Sequence, residues 1–388
     1  MTVRVTKPEF NLREKISELD KPTGLKGSEL MRSETSQEAR DLIGAGRRNL
    51  FINGDMRIDQ RREGGSVTPG VSSTFSVDRW KAVINPAGKF SMQRKNDASL
   101  PHFPFYTRLT VTTAITSMGS SQYQLFWQTI ESKNIFDRTG FGSGSNAKDL
   151  TLSFWVRSSV AGPFSGSLEN WAQNRAFVWE VDIKNKDTWE HKTVHIPPCT
   201  DGDWQISSTN GAYFMFSLGT TIGSEPNVGW VNAQRLGSST EIRRIGIQGC
   251  TVDITGCQLE IGRVATEFDH RTYGEELQSC MRYFYKWSSS IAYSNFDIGY
   301  ATDANNVDVI YQLPVIMRAN PTLTTSGTFR LVGYGPQDYN NISSISLHRS
   351  HPRSPYLRCA TSGLSSGLVG EFGDAGSNNA TMSFDAEL

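Results

Sequence analysis

Long apolar runs are missing from this chain of 388 residues. No stretch approaches 18 consecutive apolar positions, so no membrane-spanning helix and no membrane insertion are expected. Net charge is missing too, because 39 Lys and Arg balance 39 Asp and Glu. The basic residues are scattered apart from local pairs such as Arg61-Arg62 and Arg243-Arg244, which leaves no electrostatic footprint for nucleic acid. Cysteine is scarce and odd in number: Cys199, Cys250, Cys257, Cys280 and Cys359. A disulfide framework would be denser. Cys250 and Cys257 in "CTVDITGC" could meet across a bend, but free thiols are the expectation. The opening "MTVRVTKPEF" lacks an apolar signal-peptide core, which points to synthesis in a cytoplasm.

Glycine, serine, threonine and aromatics are plentiful, with 35 Gly and 9 Trp. That mixture favours short strands joined by tight turns. From Asn49 to about Thr272 the pattern is period-two alternation. In "DLTLSFWVRS", Leu150, Leu152, Phe154 and Val156 share one face while Trp155 and Arg157 take the other. Phe177, Trp179, Val181 and Ile183 align in the same way, as do Phe214, Phe216 and Leu218, and then Cys257, Leu259 and Ile261. Trp80 and Trp179 fall on core faces. Many such strands with turn residues between them predict a two-sheet sandwich over residues 48–272.

Residues 1–47 differ. Phe10, Leu12, Ile16 and Leu19 form an amphipathic stripe ended by "KPTG", and Thr35 with Glu38 makes a capping box ahead of a stop at Gly44. The stripe is too small for its own core and reads as an extended and helical docking arm. After the sandwich, Leu277, Cys280, Met281, Phe284 and Trp287 keep helical spacing in "YGEELQSCMRYFYKW", which predicts a connector helix at the start of region 273–388. Alternation then resumes at Val307, Val309, Tyr311 and Leu313 and ends with Met382, Phe384, Ala386 and Leu388 on one face, a smaller C-terminal β-sandwich.

Four of these pieces, "RRNLFINGDMRIDQR", "SVDRW", "DLTLSFWVRS" and "DITGCQLEIGRVATEFDHRTYGEELQSCMRYFYK", resemble a family of bacteriophage and prophage virion proteins, the tail fibres and tail-associated proteins. The resemblance spans Asn49 to about Lys286, and its closing block is the most specific part. The arm is similar to leaders of fibre-like proteins from marine phages, cyanophages in particular. The resemblance implies a carbohydrate-binding-module-like jelly roll, usually in a homotrimer. Arg47 and Arg48 would end the arm. The stretch after them would be the first strand of the jelly roll, with Leu50 and Ile52 alternating into the core and Asn53-Gly54 turning, and the basic residues that follow would solvate the loop or touch a neighbouring subunit. The sequence departs from the usual pattern at Glu267, where Pro is common, and at Asp269-His270. No site residues carry over from the family.

The resemblance therefore implies a structural virion protein: a trimeric tail fibre or spike docked through residues 1–47 to other virion proteins (a tail adaptor, nozzle or capsid) and contacting a host-surface glycan. A head fibre or capsid decoration is the variant reading, and a glycan depolymerase is the reading from another class. Its expected location is the virion, after assembly in the host cytoplasm. No catalytic constellation is read: none of the six His lies near a strained G-x-S-x-G elbow, and sequence does not show two carboxylates converging. His270 reads as structural, at a strand end. His191 and His195 share a strand face but lie too far apart to chelate one ion easily, and "DANNVD" lacks EF-hand spacing. No cofactor and no metal are predicted. The glycan-stacking candidates are Trp171 and Trp230 in loop-like contexts, Tyr339, and Trp155. Each has the alternative of a subunit interface, which is the favoured reading for Trp155.

Overall fold

The computed structural model describes residues 32, 47–97, 99–204, 210–223, 228–333, 339–376 and 378–388. The expected docking arm, with Phe10, Leu12, Ile16 and Leu19, lies outside the described residues except at Arg32 and Arg47.

The alternating segments pair into two antiparallel sheets that form a jelly-roll sandwich. One is seven-stranded, in the order β1 (Thr74–Val77), β2 (Trp80–Asn85), β5 (Tyr123–Glu131), β10 (Asn210–Thr220), β7 (Gly162–Asn170), β8 (Ala176–Ile183), β11 (Gly229–Val231). The other is five-stranded, in the order β3 (Phe90–Asn96), β4 (Phe105–Val111), β12 (Thr251–Ile261), β6 (Leu150–Ser158), β9 (Glu190–Ile196). The chain crosses repeatedly between the sheets, so strands adjacent in sequence share one core. Aromatic rings fill it: Phe154 of β6 meets Phe216 of β10 edge-on across the sheets at 5.1 Å, and Trp80 stacks on Phe126 within the seven-stranded sheet at 5.4 Å. Trp80 and Trp179 are buried there, as their parity requires, and each such side chain contributes about 2–3 kcal/mol by leaving water. All five cysteines are free and buried.

The stretch 49–58 corrects the strand expected there. It has no β-strand, and Phe51 is fully buried while Ile52 is only half-buried. Side chains replace sheet bonding in it. The Asn49 amide accepts from the Phe51 and Leu259 N–H groups and donates to the Cys257 carbonyl. Asn53, at φ 59°, donates to the Ile58 and Asp78 carbonyls. Asn tolerates that left-handed conformation, so the Asn53-Gly54 turn itself is as expected.

The connector helix is shorter than its periodicity suggests. α1 (Ser132–Thr139) lies inside the sandwich and α2 (Tyr273–Met281) is the connector; Phe284 and Trp287 belong instead to β13 (Phe284–Ser288). Thr272 caps α2, accepting from the Glu275 N–H while Glu275 accepts from the Thr272 N–H. The run "FYKW" has strong strand propensity and pairs with the end of the chain, which overrides helical spacing. β13 joins β22 (Thr381–Asp385) and β16 (Thr322–Ser326) in a three-stranded sheet. This packs on a seven-stranded sheet ordered β18 (Tyr339–Ile342), β17 (Phe329–Gly333), β21 (Val369–Asp374), β14 (Asn295–Ala301), β15 (Asn306–Ile310), β20 (Tyr356–Ala360), β19 (Ser344–Arg349). Met382, Phe384 and Ala386 fill the core between them.

Charged groups seal the two units together. Arg79, 2% exposed, pairs with Glu387, donates to the Thr129 carbonyl at 2.6 Å and lies 3.5 Å over the Tyr283 ring. Tyr283 donates to Glu131 at 2.6 Å, and Arg282 pairs with the same carboxylate. Arg61 stacks on Phe284 at 3.6 Å and bonds Glu387 at 3.0 Å. Arg61 of the basic cluster thus grips its own chain's second unit, a different role from solvating a loop. Breaking a buried ion pair strands its partner's charge. Replacing Arg79 by Ala is expected to cost about 3–5 kcal/mol, read as a lower urea midpoint.

Candidate functional site

A single bulge shapes the outer face of the five-stranded sheet. Thr255 pairs with Trp155 and Gln258 with Ser153, so Gly256 and Cys257 together oppose Phe154. Gly256 adopts φ 60°, and a Cβ there would lie 3.0 Å from both Phe103 and Trp155. Glycine is required on both counts. The extra residue flips parity: Val252 and Ile254 face the core before it, Cys257 and Leu259 after it. Outside, Ser153 and Trp155 of β6 and His191 of β9 lie at the base of an open cleft of about 770 Å³.

Loops supply the rest of the lining. His102 and Phe103 come from the β3–β4 loop, and Glu267, Phe268 and His270 from the segment after β12. Side-chain bonds hold this second wall. Gln258 accepts from the Asp269 N–H at 2.7 Å, and Glu260 accepts from the Thr266 N–H and hydroxyl at 2.7 and 2.6 Å. Asp269 accepts from the Arg48 and Asn49 N–H groups, and Arg48 donates to Thr266 at 2.7 Å. The opening and closing motifs of the sequence therefore build one wall together. The unusual Glu267 and His270 both line the cleft, and His270 sits in this loop rather than at a strand end.

The rings form a nearly continuous apolar surface. Phe103 lies 5.1 Å from Phe268 and 5.4 Å from His270, and Trp155 lies 5.1 Å from His191. Next to it Arg157 and Arg108 share Asp253, and Trp189 covers the Arg157 guanidinium at 4.6 Å. Desolvation lowers the His191 pKa, and burial likewise lowers that of His270 against the opposing pull of Asp55. A half-buried indole with hydroxyl, imidazole and carboxylate groups around it suits a ligand with one apolar face and polar edges.

The sequence candidates scatter. Trp155 lines the cleft. Trp230 does not: it lies in β11, packs on Phe141, Phe177 and Trp204, and donates its indole N–H to the Pro197 carbonyl at 2.9 Å. Neighbouring aromatics hold its ring, which stays partly exposed away from the cleft. The Tyr339 side chain lies outside the described residues, although its backbone opens β18. The His195 ring hydrogen-bonds Asp149 at 2.7 Å, and among the described residues no group of three metal-ligating side chains assembles. Sequence reasoning missed Phe103, Phe268 and His102. Parity offered a signal only for Ser153 and His191, which flank Trp155 on its face.

No protein-family model matches the chain. No curated protein matches it. Among solved structures it is similar to the enzymatically active domain of tailspike protein 4 from bacteriophage CBA120, at 14% identity and TM-score 0.32 over 55% of this chain and 21% of that one. It is also similar to the carbohydrate-binding module TmCBM61 in complex with β-1,4-galactotriose, at 8% identity and TM-score 0.27 over 56% of this chain and 100% of that one. A third is the family 11 carbohydrate-binding module of Clostridium thermocellum, in complex with a mixed-linked tetrasaccharide, at 11% identity and TM-score 0.25 over 52% and 98%. The chain spans about a fifth of the length of the tailspike chain.

Trp171 marks a separate surface, the outer face of the seven-stranded sheet. It is 44% exposed and packs on Tyr213 at 5.5 Å, and Tyr213 stacks on Trp127 at 4.7 Å. Beneath them Glu169 is buried, with one oxygen accepting from the Arg235 N–H at 3.3 Å and the other without a partner. Burial pushes its carboxyl up to about 8. The folded protein then holds a proton that the unfolded chain releases near the ordinary carboxylate range. The stability from that neutral form is complete below about pH 4.5 and is lost as pH rises through about 8. Replacing Glu169 by Gln is expected to flatten the decline in Tm between pH 5 and pH 8, read by differential scanning calorimetry across buffers.

Proposed function

We propose that the protein is a glycan-binding structural protein of a bacteriophage particle, with the cleft of the five-stranded sheet as its saccharide site. The observation that carries the binding reading is the open cleft with Ser153, Trp155 and His191 at its base, Phe103 and Phe268 in its walls and His102, Glu267 and His270 also in its lining. A pyranose presents an apolar CH face to an indole and hydroxyls to polar groups around it. Glu267 is the one carboxylate among the lining residues. Glycoside cleavage uses two, so binding is favoured over depolymerisation. The virion part of the reading rests on the sequence motifs at 47–61, 76–80, 149–158 and 253–286, the first and last of which contribute Arg48, Asn49 and residues 258–270 to the cleft wall. In this reading the arm docks a homotrimeric tail fibre to the particle; a head fibre is the variant.

Binding on a glycan array, followed by titration, tests the site. Trp155→Ala is expected to weaken the best ligand about tenfold or more while the protein stays folded. An unchanged affinity would place the saccharide elsewhere. Docking is tested separately. A protein lacking residues 1–47 is expected to fold and to be missing from purified particles by mass spectrometry; its normal incorporation would refute the arm.

A further inference from the structure

We propose that this cleft selects saccharides that carry an anionic group and holds them more tightly in mildly acidic solution; the proposal rests on the glycan reading above. Three of the chain's six histidines, His102, His191 and His270, line the one cleft, and among the described residues neither Lys nor Arg does. Among the described residues none of these three rings has a hydrogen-bonding partner. Of the other three imidazoles, His195 is bonded to Asp149 and His351 accepts from the Ser354 N–H, while His348 packs on Tyr356. All three imidazoles are exposed at the cleft, so an incoming ligand can reach their nitrogens. Ring nitrogens left open toward a solvent-filled cleft are placed to meet a ligand.

Their surroundings define the ligand's charge. With neutral imidazoles the lining carries only the Glu267 charge, whereas protonation sets three positive groups against it. The other charges nearby are already matched. Asp55 pairs with Arg57 at 2.5 Å, and Asp269 is taken by the Arg48 and Asn49 N–H groups. Toward His191, Glu190 pairs with Lys192 along β9, and Arg157 pairs with Asp253 on the neighbouring strands. Burial lowers the pKa of His191 beside Trp155 and of His270 beside Phe103, which favours their neutral form in the free protein at pH 7. An anion arriving on the cleft reverses that preference, so binding takes up protons. By linkage, affinity must rise as pH falls toward and below 6. An uncharged sugar stacked on Trp155 has no such coupling.

The experiment is a glycan array on the full chain at pH 5.5 and 7.5, containing uronates, sialosides, and sulfated, phosphorylated and neutral oligosaccharides. Titration calorimetry then follows on the best anionic and best neutral ligands. Anionic glycans are expected to bind best, about tenfold more tightly at pH 5.5 than at 7.5, as charge-assisted hydrogen bonds form. The array members distinguish carboxylate from sulfate or phosphate. The His191→Gln/His270→Gln pair, and each single change should the pair misfold, is expected to remove the pH dependence and spare neutral-glycan stacking. Neutral glycans that bind best and equally at both pH values would overturn this inference and leave the saccharide site standing. No glycan bound at either pH would overturn both.

Discussion

The bulge at Gly256 is the constraint on which the cleft depends. A strand without it would carry Cys257 and Leu259 to the outer face and Gln258 and Glu260 into the aromatic core, because side chains alternate strictly. Burying two polar side chains there would cost several kcal/mol. With the bulge, two registers coexist along β12, and each keeps its apolar positions inside. The outward Gln258 and Glu260 are then free to anchor the 266–269 segment. One glycine thus determines both the core beneath the sheet and the wall above it, and its missing side chain leaves room for Phe103 and Trp155 to close over the strand.

Polar bonding between distant residues does the positioning in both places where the chain folds back on itself. Arg48 and Asn49 reach residues more than 200 positions later, and Arg61 and Arg79 reach Glu387. These groups are buried or nearly so, and each is costly if unpaired. They specify geometry through that cost, since an approximate fit would leave a charge or an amide stranded. The hydrophobic core supplies most of the favourable energy, and the polar seams determine which surfaces meet.

That division explains what could be read from the sequence. Alternation in "DLTLSFWVRS" announces a half-buried strand, places Phe154 inside and puts Trp155 on the opposite side, and the structure agrees. The change of parity between Ile254 and Cys257, with a glycine between them, is a trace of the bulge visible in the bare letters. Where side chains replace the sheet ladder, period fails. Residues 49–58 look like a strand because Leu50 and Ile52 alternate, yet Asn49 and Asn53 capture the backbone first. Phe284 and Trp287 share a face at helical spacing and take opposite faces in a strand, and pairing with β22 imposes the strand. Phe103, Phe268 and His270 come from loops that carry no period at all, so their convergence was not legible.

The burial of Arg79 against Glu387 has a consequence for biosynthesis. The two residues are separated by 308 positions. At roughly 5–20 residues per second, a ribosome needs on the order of 15–60 s to make the partner after the arginine has been added. Through that interval the nascent sandwich carries a cation at the edge of its sheet that has the Thr129 carbonyl but not yet its carboxylate partner. Closing the seam therefore waits until the second unit has been made, and it couples that unit's folding to the final order of the first.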